Sequence, residues 1–199
     1  MNYKIINGAI LKSDPEKLYT LSEDLFVVDG KVYENLPEDV KEEELEIVDA
    51  AHHLVMPGLI NLHTHAYMTV LRNYADDVDF DEWLFKRVMP VEDRLPQEGA
   101  YWSSLLACME MVRTGTTCFV DMQMFPRQAV RACADSGMRA MITRGLVGSD
   151  RHDEGGLRRL AEAFDEMEFA GSIAAPVTFG LGPHAIYSCG EDFLRYVTE

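Results

Sequence analysis

His63 and His65 stand two positions apart at the end of the apolar run Leu59-Ile60-Asn61-Leu62. Side chains at i and i+2 of a strand share a face, so this spacing turns both imidazoles toward one point. Two converging imidazoles suit zinc, iron or a similar divalent ion and leave room for further ligands. A bare His-x-His also reads as one strand-capping histidine beside one that faces solvent. The leading Pro57-Gly58, directly after a β-rich segment, weighs toward the metal. His52, His53 and His152 lie in polar loops and read as solvent-facing.

The elements that must position the pair follow from hydrophobic patterning. Apolar runs at 59–62, 116–120, 139–144 and 177–181 alternate with helical periods. Pro96 suits an early helical position, Tyr101, Leu105, Cys108, Met109 and Val112 then form one apolar face, and Gly115 stops it. Pro126 opens a second helix with Ala129, Val130 and Cys133 inward and Gly137 as its stop. Leu157, Leu160, Ala161, Phe164 and Met167 mark a third, and Ser188-Cys189-Gly190-Glu191 reads as a capping box for a fourth, with Phe193, Leu194 and Val197 inward.

This alternation argues for parallel βαβ units, so the fold class is α/β. Four units in about 140 residues match the N-terminal half of a TIM-like (β/α)8 barrel, whose usual length is about 250 residues. Residues 57–199 therefore read as the first half of a barrel, truncated as its fourth helix begins; a free-standing four-stranded α/β domain is the other architecture that fits. A barrel places its active site at the carboxyl ends of its strands, where His63 falls. Residues 1–56 differ: KIINGAIL, DLFVVDG, KVYENL and ELEIVDA are short β-type runs, with Asp29-Gly30 as a hairpin turn.

Composition narrows the partners. The 199 residues are 47% hydrophobic, enough for a real core. With 18 Lys and Arg against 34 Asp and Glu, the net charge of -16 disfavours nucleic acid and anionic membranes. The acidic stretch 34–46 reads as a solvated loop. Cys108, Cys118, Cys133 and Cys189 show no CxxC spacing and read as free thiols, which suits a reducing, cytoplasmic setting. Neither a leader pattern nor a membrane-length apolar run is evident.

The segment PGLINLHTHAYMTVLRNYADDVDFDEWLFKRVMPVEDRL, continued by GTTCFVDM, GMRAMITRGLV and GLGPHAIYSCG, closely resembles the amidohydrolase superfamily. Within it, the resemblance is to the deaminases of S-adenosylhomocysteine and 5'-methylthioadenosine. It implies a distorted barrel beside a β-sandwich to which residues 1–56 contribute. It also implies hydrolytic loss of ammonia from an adenosine-type thioether nucleoside, with one divalent metal, zinc first and iron or manganese as alternatives.

By this resemblance His63 and His65 are metal ligands. Trp83 is an aromatic wall near the substrate, or an ordinary packing tryptophan. Glu92 accepts hydrogen bonds from ribose hydroxyls, or is a surface charge at a helix end. Arg144 holds the carboxylate of a homocysteine tail, or makes a structural ion pair. His184 contacts the nucleoside, with a metal role in reserve, and Asp121 reads as structural. The family patterns HAPMT and PHAPY have proline where this chain has Tyr67 and Ile186, which leaves the fit to a purine nucleoside open. The remaining ligands, a His and an Asp, are expected beyond residue 199, with the proton-shuttling Glu and a further His, so no catalytic residue is assigned here.

The expected partner is a small molecule, and a homo-oligomer is left open. Competing readings are an aminohydrolase or chlorohydrolase for guanine or a triazine, and a non-catalytic fragment or half of a split protein with an open sheet edge. The β-rich segment upstream argues against His-x-His phosphoesterases.

Overall fold

The computed structural model describes Met1 to Glu199 in two units, Met1–Pro57 and Gly58–Glu199. The first is built from short strands: β1 (Tyr3–Ile6), β2 (Ala9–Ser13), β3 (Leu18–Leu21), β4 (Leu25–Val28), β5 (Lys31–Tyr33), β6 (Glu46–Asp49) and β7 (Leu54–Val55). One sheet runs β5-β4-β1-β6 and another β3-β2-β7. Asp29 and Gly30 join β4 to β5 with φ of 49° and 75°, the left-handed pair that a two-residue hairpin turn requires. Ile10, Leu25, Val28, Leu45 and Ala50 are its buried apolar residues. The acidic stretch is largely exposed, with Glu34 and Glu42 paired to Lys12 and Lys4.

The second unit is a four-stranded parallel sheet in sequential order: β8 (Leu59–Thr64), β9 (Thr116–Gln123), β10 (Arg139–Leu146) and β11 (Val177–Pro183). Between β8 and β9 lie a 3₁₀ turn (Ala66–Leu71), a π-helical segment (Glu82–Val88), α1 (Met89–Glu92) and α2 (Gln97–Arg113). The later strands are separated by α3 (Pro126–Ser136) and α4 (Glu154–Gly171), and α5 (Glu191–Thr198) follows β11. This is the α/β, barrel-type arrangement that the alternating pattern predicts.

The helix layer and sheet enclose Cys108, Phe119, Val130, Cys133, Ala140 and Ile142, each at most 4% exposed. A second cluster forms around Phe193 with Leu146, Ala163 and Cys189. Burying the Phe193 ring contributes about 1.5–3 kcal/mol. Gly137 ends α3 in the left-handed conformation (φ 73°), as its position predicts.

Three expectations need correction. Met109 and Val112, expected inside, are exposed, and α2 buries Ala100, Ser103, Ser104, Ala107, Cys108 and Met111 instead. It packs against α3 and the 66–71 turn, where small side chains allow close approach that a count of large apolar residues does not register. On α4, Ala161, Phe164 and Met167 are exposed while Gly156, Ala163, Glu166 and Ala170 are buried, with Glu166 turned inward to pair with Arg144. Ser188 is not the cap of α5. Gly190 takes that place, where an added Cβ would lie 1.9 Å from the carbonyl oxygen of Ser149.

Candidate functional site

The strand carrying the histidine pair is irregular. From Asn61 to Thr64, three steps on β8 are matched by two on β9, from Phe119 to Asp121. Such a bulge re-aims side chains, and here it falls at Leu62-His63. His65 follows the strand end at φ -133°, ψ 72°. The two rings lie 5.2 Å apart between centroids and nearly perpendicular, at 86°. Nδ1 of His65 lies 2.9 Å from the carbonyl oxygen of Met122. A carbonyl only accepts, so Nδ1 carries the hydrogen and Nε2 keeps its lone pair for a ligand.

Asp121 supports this turn from below. It is fully buried and accepts hydrogen bonds from the Ala66 amide (2.9 Å) and the Gln123 amide, while the Thr64 hydroxyl shares its single hydrogen between the Val120 carbonyl (2.8 Å) and Asp121 (3.0 Å). Burial pushes its carboxyl above the usual range, against the effect of those hydrogen bonds. Ala66 is the residue after His65, so Asp121 ties the end of β8 to β9.

His184 follows β11. The Ser188 hydroxyl donates to the Ala185 carbonyl at 3.2 Å, so it accepts from Nδ1 of His184 at 2.8 Å and leaves Nε2 free. Burial holds this imidazole below its ordinary pKa, helped by the positive charge of Arg159. A chain of aromatic contacts then runs from His184 to Tyr187 (5.8 Å), to Phe80 (6.5 Å) and to Trp83 (6.0 Å). His184 and Trp83, far apart in sequence, thus share one wall. Beside it lies a groove of about 490 Å³ lined by Ser149, Asp153, Ile186, Tyr187 and Ser188.

Glu92 accepts a 2.6 Å hydrogen bond from the hydroxyl of Tyr67, itself buried and stacked edge-on against Phe125. Arg144 is not brought to the histidine pair by any contact. Its guanidinium donates to the Met124 carbonyl (2.9 Å) and pairs with Glu162 and Glu166 of α4. It shares a face of β10 with Ile142, which packs into the core under the helices. Burial raises the Glu166 carboxyl to about 7 although Arg144 opposes it, so desolvation outweighs the ion pair.

The donor chemistry fits a divalent ion: two imidazoles, one with its tautomer set by a backbone carbonyl. No group of three or more His, Cys, Asp or Glu side chains converges on one point, so the pair supplies two positions of a shell that commonly numbers about four. Sequence reasoning does not single out Phe80 and Tyr187 as parts of these surroundings, and it names Tyr67 without assigning it a partner. For Tyr67 a signal existed, since it departs from the family pattern beside the ligands.

The amidohydrolase family model matches residues 54–199. The 5-methylthioadenosine/S-adenosylhomocysteine deaminase of Thermotoga maritima is 45% identical over 153 residues, 76% of this chain and 37% of that protein. The enzyme of the same description from Syntrophomonas wolfei is 38% identical over 201 residues, covering 100% of this chain and 44% of its own. The 5'-deoxyadenosine deaminase of Methanosarcina barkeri is 36% identical over 97% of this chain and 44% of its own. The chain thus spans less than half the length of these relatives. Among solved structures, guanine deaminase from C. acetobutylicum with bound guanine superposes with a TM-score of 0.77 at 17% identity, over 98% of this chain and 49% of that one. An adenosine deaminase from Xanthomonas campestris with bound zinc gives 0.75 at 24%, over 98% and 46%. These likenesses show a shared fold. The match over most of its length places the chain in the amidohydrolase family.

Proposed function

We propose that this chain contributes the opening half of the active site of a metal-dependent aminohydrolase, which replaces the exocyclic amine of an adenosine-type nucleoside by water and releases ammonia. The observation that carries this reading is the His63–His65 pair at the carboxyl end of β8, with Nδ1 of His65 anchored on Met122. In it, His63 and His65 hold one divalent ion, zinc first, with iron and manganese as alternatives. Once bound, such an ion supplies Lewis acidity that brings the pKa of a coordinated water to about 7.

The chain's own residues then bind and orient. Trp83, Phe80 and Tyr187 offer aromatic surface to a flat base. His184, neutral and with Nε2 free, accepts a hydrogen bond from a substrate N–H or O–H. Glu92 accepts from sugar hydroxyls. For Arg144 to hold a tail carboxylate, that carboxylate must displace Glu162 and Glu166. This favours a nucleoside with an uncharged 5' substituent over one with an amino-acid tail. Residues 1–56 belong in this reading to a β-sandwich module, and the free cysteines fit a cytoplasmic enzyme.

Ammonia release from 5'-methylthioadenosine, S-adenosylhomocysteine, adenosine, guanine and a triazine tests it on an intact protein that joins this chain to the second half of the site; the chain by itself, with two ligands and no proton shuttle, is expected to be inactive. Release from the adenosine-type compounds is expected, most from those with an uncharged tail. Activity confined to guanine or the triazine would overturn the nucleoside assignment.

A further inference from the structure

Tyr67 is 4% exposed, and its ring is held edge-on to Phe125 at 5.5 Å. Its hydroxyl lies 2.6 Å from Oε1 of Glu92, 25 residues later in the chain. This is the one hydrogen bond that the Glu92 side chain makes, and no Lys or Arg forms an ion pair with it. Glu92 is half-buried and its second oxygen makes no hydrogen bond, which leaves it for a ligand. A long flexible carboxylate with a single partner takes its direction from that partner. Here the partner is rigid, because a buried aromatic ring has few rotamers to explore. A phenol also leaves the carboxylate charge unneutralised, where a cation would compete with any hydroxyl seeking the same oxygens. Proline, the residue of the HAPMT pattern at this place, has no side-chain donor to offer.

We propose that Tyr67 is a positioning residue for substrate selection: its hydroxyl aims the Glu92 carboxylate at the sugar hydroxyls of a nucleoside. This rests on the reading of Glu92 given above. It assigns the preference for an intact sugar diol to a pair of residues rather than to Glu92 alone.

The test is a double-substitution cycle on the full, metal-loaded protein, read by calorimetric titration. The ligands are inosine and 2',3'-dideoxyinosine, product-type nucleosides that carry no amine to lose. Tyr67→Phe, which keeps the ring, should weaken inosine roughly three- to tenfold and leave the dideoxy compound unchanged. Glu92→Ala should abolish the preference for inosine, and adding Tyr67→Phe to it should change nothing further. Equal weakening of both ligands by Tyr67→Phe would make Tyr67 a packing residue and overturn the proposal. So would additive effects in the double variant. Loss of the inosine preference in Glu92→Ala but not in Tyr67→Phe would overturn this inference alone. Failure of the unsubstituted protein to bind either nucleoside would overturn the proposed function and this inference with it.

Discussion

Replacing Asp121 by alanine should destabilise the protein far more than replacing it by asparagine. In the alanine variant the Ala66 amide and the Gln123 side-chain amide lose their acceptor, whereas the Thr64 hydroxyl keeps the Val120 carbonyl at 2.8 Å. Gln123 is 1% exposed, so water cannot replace what is lost there. Two orphaned buried donors cost about 1–3 kcal/mol each, offset in part because a carboxyl that burial disfavours is gone. A net loss of about 2–4 kcal/mol is expected. Asparagine keeps an oxygen for Thr64 and Ala66 but turns an NH₂ toward Gln123. The Oε1 of Gln123 is buried and has no partner, so rotating that amide by half a turn lets it accept from the new NH₂. Asparagine should therefore cost about 1 kcal/mol or less. Urea unfolding of the three proteins decides the matter. Equal destabilisation by both substitutions, or an alanine variant as stable as the original, would refute the role given to Asp121.

Glu166 should make stability fall as pH rises. Its carboxyl is raised from 4.5 to about 7 in the fold, so between those values the folded protein holds a proton that the unfolded chain has released. The loss across that window is at most about 3 kcal/mol. Unfolding at pH 5 and pH 8 should show it, and Glu166→Gln should flatten the difference; an unchanged difference in that variant would contradict the assignment. Gly190→Ala should lower the thermal midpoint, because its Cβ would sit 1.9 Å from the Ser149 carbonyl oxygen and the loop must move, at about 1–3 kcal/mol. An unaltered midpoint would show that the loop yields freely.

Much of this was legible in the residues because the relevant signals are local. The order of strands and helices after Val55, the Asp29-Gly30 hairpin and the Gly137 stop all rest on backbone preferences that a single sequence displays. The histidine spacing belongs to the same class. What sequence could not give depends on neighbours distant along the chain. The face that α2 buries is decided by how closely α3 and the 66–71 turn approach it, not by its own large apolar residues. Ser188 has the chemistry of a helix cap, yet its hydroxyl is taken by His184 and Ala185. Arg144 reads from sequence as the last residue of its strand, whereas β10 runs on to Leu146, and its side of the strand and its two carboxylate partners on α4 are tertiary facts. The pairing of Tyr67 with Glu92 is of the same kind.

The metal content of an intact protein that joins this chain to the second half of the site, and of its His63→Ala and His65→Ala variants, is the most direct test of the account. Elemental analysis should find a divalent metal in the unsubstituted protein and little or none in either variant. Full retention of metal in both variants, with their folded spectra intact, would contradict the assignment of this pair as ligands.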